Sequence, residues 1–175
     1  YSLNPSNGKI KQLQAKEDVI SDYSIANQAF EMVYFGLSAS NSQRLYTYNL
    51  KNDASSCLID LSKEILRDVT LGEVQDWNFV SAQGDTIYGR FYLPPHFDAT
   101  KKYPMIVNYY GGTTPTARVM ESRYPSHVYA GLGYIVYIIQ PSGATGFGQE
   151  FSARHVNAWG KLTADEIIEG TKKFC

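Results

Sequence analysis

Two cysteines in 175 residues, Cys57 and Cys175, are too few for a disulfide framework. They fall in parts of the chain that read as different domains, so free, buried thiols are expected, with a disulfide between them as the alternative. No apolar run approaches the roughly 20 residues that a membrane-spanning helix needs. Neither sign of charge dominates, with 16 Lys and Arg against 17 Asp and Glu, which excludes the basic balance of a nucleic-acid binder. The three histidines, His96, His127 and His155, form no His-x-x-x-His pair and lie far in sequence from the cysteines. A zinc site is therefore not expected, and no cofactor is signalled. The first residue is Tyr1, inside a strand-like stretch, so a leader or anchor upstream would leave no trace. Compartment, membrane association and homo-oligomerisation stay open.

Helical periodicity is also missing from about residue 1 to 62. Short strand-like runs alternate with turn clusters at Pro5-Ser-Asn-Gly8, Ser40-Asn-Ser42 and Lys51-Asn-Asp53, the pattern of an antiparallel all-β unit. Tyr1-Ser-Leu-Asn4 is echoed by Tyr46-Thr-Tyr-Asn49, an offset near the roughly 40–50 residues of a propeller blade. A β-sandwich edge is the alternative. The 14 tyrosines are read as strand packing rather than as a binding stripe.

From about residue 71 the pattern changes. Val74–Val80 and Thr86–Leu93 alternate around Gln83-Gly84-Asp85, a hairpin signature closed by Pro94-Pro95. Met105–Val107 is continuously apolar, which predicts a strand buried on both faces, running into Gly111-Gly112. A short helix over Ser126–Leu132 and a strand over Tyr134–Ile139 follow, predicting a parallel pair joined by a right-handed crossover. Thr163-Ala-Asp-Glu166 reads as a capping box, with Asp165 favourable to the helix dipole. Ala164, Ile167, Ile168, Thr171 and Phe174 are expected to form the apolar face of that last helix. Hairpin, strand, helix, strand, helix is how an α/β-hydrolase domain begins.

The succession Tyr92-Leu-Pro-Pro95, Lys101-Lys-Tyr-Pro104, Tyr110-Gly-Gly112, Gly133-Tyr-Ile-Val136, Gly143-Ala-Thr-Gly-Phe-Gly148 and Trp159-Gly160 resembles the prolyl oligopeptidase family of serine peptidases, over roughly residues 72–175. The resemblance implies an α/β fold: the end of a β-propeller over 1–70, then the N-terminal part of an α/β-hydrolase catalytic domain over 71–175. It implies a peptide substrate. It also implies that Tyr110, just before the Gly-Gly bend, lends its hydroxyl to an oxyanion hole; read alone, Tyr110 is more readily a packed strand-end aromatic. Tyr109, on the other side of the strand, is expected to be structural.

Two departures from the family pattern stand out. Gln140-Pro-Ser-Gly143 replaces an Asp-x-Arg-Gly run, and Thr113-Thr-Pro115 follows the glycine pair where proline is usual. The chain also has no Gly-x-Ser-x-Gly elbow. The nucleophile, its acid and its histidine are expected downstream of Cys175, which leaves none of the three histidines in a catalytic role. Ser142 lacks the elbow glycines and is expected to line a loop. A binding module without a nucleophile, or an esterase of the same fold, is the alternative. An esterase is disfavoured because Tyr110-Gly-Gly-Thr113 stands where a His-Gly-Gly-Gly loop is common.

Overall fold

The structure, a computed structural model, describes residues 1–175 and divides into two compact units, Tyr1–Val69 with Val119–Glu121, and Thr70–Arg118 with Ser122–Cys175. No helix is long and apolar enough to cross a membrane.

In the first unit, β1 (Ser2–Leu3) and β2 (Ile10–Lys11) form a two-stranded ribbon. The strands β3 (Val19–Ile25), β4 (Glu31–Leu37), β5 (Arg44–Asn49) and β6 (Ala54–Asp60) form an antiparallel sheet in chain order, followed by a single helical turn, α1 (Ser62–Ile65). Alternation sends Met32 and Tyr34 of β4 inward beside Tyr48 and Tyr46 of β5, their cross-strand partners, while Leu13, Ala15 and Leu50 pack around them. Tyr34 and Tyr46 stack at 5.0 Å. Each phenol tip finds a polar partner, as a buried tyrosine requires. Tyr48 accepts the Gln14 N–H and donates to Asp53, Tyr34 accepts the Lys16 N–H, and Tyr46 donates to Glu17. Desolvation, with Glu17 beside it, pushes the Tyr46 phenol up to about 12. Tyrosine abundance here is strand packing, as expected. The internal echo is not structural, because Tyr1–Asn4 lies in the exposed ribbon whereas Tyr46–Asn49 belongs to an inner strand. Cys57 is exposed because β6 is an edge strand, and Cys175 is exposed beyond the last helix, so neither is the buried thiol anticipated.

The second unit is a mixed sheet of β7 (Val74–Asp76), β8 (Phe79–Val80), β9 (Thr86–Tyr92), β10 (Met105–Asn108) and β11 (Ile135–Gln140), with α2 (Ser126–Gly131), α3 (Gln149–Ala153) and α4 (Lys161–Phe174). β7 and β8 both pair with β9, the hairpin read from the sequence; β9 is antiparallel to β11, and β11 is parallel to β10. The spatial order is β10-β11-β9-β7. β11, with a strand on each side, is buried from Val136 through Gln140, whereas β10 is only half-buried. The expectation of a doubly buried β10 is thus corrected: it stands at the sheet edge, with a partner on one side alone.

Alternation along β11 turns Tyr137 and Ile139 toward α4 and Val136 and Ile138 toward the opposite face. There Tyr92, the cross-strand partner of Val136, meets His127 of α2 edge-on at 5.0 Å. On the α4 face Phe174 stacks on Tyr137 at 4.7 Å and meets Trp77 and Phe91 edge-on. Gly170 lets the helix backbone come close, since a Cβ there would lie 2.6 Å from Phe79 and 2.8 Å from Ile139. The inward face of α4 is Thr163, Glu166, Ile167, Gly170 and Phe174, rotated from the predicted one, and Ala164 and Ile168 face solvent. The capping box is also overturned. The helix begins two residues earlier at Lys161, after Gly160 at φ 91°, with no side-chain cap, so Asp165 is outside the first turn and Glu166 is occupied elsewhere.

The buried Tyr137 hydroxyl finds no partner in the protein, and burial pushes its pKa up. Tyr137→Phe keeps the stack and removes an unsatisfied polar atom. Chemical denaturation is therefore expected to show unchanged or increased stability, by up to about 1 kcal/mol; a comparable loss would mean that the hydroxyl is bonded after all.

Candidate functional site

Beyond Asn108 the chain leaves the sheet and runs without regular structure to α2. Tyr109 and Tyr110 both lie past the end of β10 and are about half exposed, at 51% and 54%, so strand alternation does not set them on opposite faces. The Tyr110 ring lies across Gly112. A Cβ on Gly112 would fall 2.6 Å from Tyr110 Cε1, so any larger residue displaces the ring.

Three side chains from the β11–α4 segment hold this loop. The Gln140 amide, at the end of β11 and fully buried, accepts the Thr116 N–H at 2.8 Å and donates to the Thr116 carbonyl at 2.6 Å. Thr145 donates to the Thr113 carbonyl through both its N–H, at 2.8 Å, and its Oγ1, at 3.1 Å. The Trp159 indole N–H donates to the Gly111 carbonyl. At the far end of the loop the Arg118 carbonyl accepts from Tyr92 Oη at 3.1 Å and from Arg90 Nη1 at 3.3 Å. Arg90 in turn pairs with Asp76 at 2.7 Å, and its hydrogen bond lowers the Asp76 pKa.

The segment after β11 is anchored from beneath. Gly143 adopts φ 96°, with the His155 ring where a Cβ would be, and its N–H donates to the Phe151 carbonyl at 2.8 Å. The Ser142 N–H donates to Glu166 Oε2 at 2.8 Å. Ser142 is fully buried, so its hydroxyl is not presented to a substrate. The stretch that departs from Asp-x-Arg-Gly thus works as two clamps, Gln140 upward to the loop and Ser142 downward to α4. His127 packs on Tyr92, His155 covers Gly143, and His96 is exposed; no three His, Cys, Asp or Glu side chains converge in metal-binding geometry.

Gln140, Trp159 and Glu166 were not singled out as site residues in the sequence. A signal for Glu166 existed, since it lies three and four residues from Thr163 and Gly170 on the buried stripe of α4, but the capping-box reading assigned it to a helix end.

No family model matches the chain. Among curated proteins it is 29% identical over 153 residues, 87% of the chain and 22% of the relative, to dipeptidyl-peptidase 5 of Porphyromonas gingivalis. It is 32% identical over 111 residues, 60% of the chain and 12% of the relative, to human dipeptidyl peptidase 8. Among solved structures, acylaminoacyl peptidase of Pyrococcus horikoshii superposes with a TM-score of 0.81 at 20% identity, over 96% of this chain and 26% of its own. The chain therefore spans an eighth to a quarter of these relatives. Its sequence is similar to dipeptidyl peptidases and its fold to that of an acylaminoacyl peptidase. These similarities support a peptidase of the prolyl oligopeptidase family.

Burial raises the Glu166 pKa, the Ser142 bonds oppose that rise, and Asp85 and Glu169 add to it; Arg154, paired with Asp85 at 3.0 Å, carries the nearby positive charge. A raised folded-state pKa means that the folded chain holds this proton more tightly than the unfolded one, so the group's contribution to stability falls as pH rises from the ordinary glutamate value. Glu166→Gln keeps an acceptor for Ser142 and removes the titration. Its melting temperature is expected to gain on the wild type as pH rises from 4 to 8; a difference constant with pH would contradict the assignment.

Proposed function

We propose that this chain is part of a propeller-bearing serine peptidase: residues 1–70 are the end of the β-propeller, with β3–β6 as a blade, and residues 71–175 open the α/β-hydrolase domain. The in-order antiparallel sheet of four strands supports the blade, and the mixed sheet with helices on both faces supports the hydrolase. The substrate is a peptide or oligopeptide.

The observation that carries the reading is the half-exposed Tyr110, set on a Gly-Gly turn just past the carboxyl end of a strand in a parallel pair. That is where α/β sheets place ligands. A phenol is neutral at pH 7 and donates one hydrogen bond without bringing a full charge. As the serine of the peptidase attacks the scissile carbonyl, negative charge develops on its oxygen. The Tyr110 hydroxyl donates to that oxygen; the tetrahedral intermediate collapses, the C–N bond breaks and the amine leaves with the serine's proton, and water then hydrolyses the acyl-enzyme. The serine, its histidine and its acid come from segments other than these 175 residues, in keeping with the absence of Gly-x-Ser-x-Gly.

Tyr110→Phe in the parent peptidase is expected to lower kcat by roughly 10²–10³ with little change in KM, as for loss of other oxyanion donors. Steady-state kinetics on a peptide anilide checks this, and an unchanged kcat would remove Tyr110 from the mechanism. The same substrate offered to the 175-residue chain alone should not turn over at all; measurable turnover would place a nucleophile within it.

A further inference from the structure

Trp159 is 77% exposed, so burial of its ring does not account for so large an aromatic at this position. What the residue does make is a directed hydrogen bond, from its indole N–H to the carbonyl of Gly111. Gly111 is the point where the loop has least to hold it. A Cβ there would meet nothing within 4 Å, and the next residue is again glycine. Two successive glycines leave the backbone free to rotate in ways other residues resist. Tyr110, one residue upstream, would swing with them. The clamps at Thr113 and Thr116 act three and six residues beyond Tyr110, past the glycine pair.

Trp159 is itself set in place by its chain neighbours. The turn that carries it contains Asn157 at φ 56° and ends at Gly160 at φ 91°, directly before α4, whose inward face is fixed on the sheet. The indole thus reaches the loop from the exposed turn that leads into α4.

We propose that Trp159 is a positioning residue for the oxyanion-binding hydroxyl: by holding the Gly111 carbonyl it restricts the glycine turn and keeps Tyr110 where charge develops. This rests on the reading of Tyr110 given above. Trp159 touches no reacting atom in this account. Its effect passes entirely through Tyr110, and that sets it apart from a merely structural tryptophan.

A double-mutant cycle in the parent peptidase separates the two. Trp159→Phe keeps an aromatic ring and deletes the donor; it is expected to lower kcat about 5- to 20-fold, within the range known for small misplacements, with KM changed less than about twofold. On the Tyr110→Phe background the same substitution should change kcat by less than about twofold, because the group it positions is gone. Equal factors on both backgrounds would make Trp159 structural and overturn the proposal. So would an unchanged kcat for Trp159→Phe while Tyr110→Phe remains damaging. If Tyr110→Phe itself leaves kcat unchanged, the oxyanion assignment fails first and the positioning role fails with it, an outcome distinct from the other two.

Discussion

The buried amide of Gln140 bonds both the N–H and the carbonyl of Thr116, and through that pair the irregular loop after β10 is tied to the most buried strand of the molecule. Backbone polar groups leaving a sheet edge must find partners, and a loop of this length has no internal ladder to supply them. A side-chain amide matches a peptide group in both directions at once, which an ionised carboxylate, an acceptor only, cannot do. With this end fixed, the Thr145 and Trp159 bonds have a framework to act within, and Tyr110 has a defined place over Gly112.

A second constraint lies below the first. The segment after Gln140 is pinned to α4 by the Ser142 N–H and the Glu166 carboxyl, a buried polar contact set into an otherwise aromatic layer of Trp77, Phe79, Tyr137 and Phe174. One carboxyl oxygen is satisfied by Ser142, while the other has no partner in the protein. Burial favours the protonated form of such a group, so this anchor responds to pH. The sheet, the loop and α4 are therefore one mechanical system. Its exposed end carries a phenol, and its buried end carries a carboxyl.

Much of this was legible in the residues. Alternation in Thr86–Tyr92, the apolar run at Ile135–Ile139 and the glycines ending α2 located the sheet and its crossover, because side-chain period and backbone freedom leave direct marks. Tyr110-Gly-Gly112 marked the turn. What failed shares one cause, tertiary context. Thr163-Ala-Asp-Glu166 satisfies the capping-box pattern, yet the helix starts at Lys161 and Glu166 bonds a residue 24 positions upstream. Met105–Val107 is as apolar as a central strand, but sheet order puts it at an edge. Cys57 looked like a buried thiol until β6 proved to be an edge strand. Gln140 and Trp159 carried no periodic signal, since each acts through a single contact to distant backbone.

The central claim is that these residues serve a serine nucleophile. Its most direct test is the intact mass of the parent protein before and after exposure to a fluorophosphonate. The account predicts a gain of one probe adduct, mapped by peptide analysis to a serine outside residues 1–175. No adduct on a folded parent, or an adduct within these residues, would contradict it.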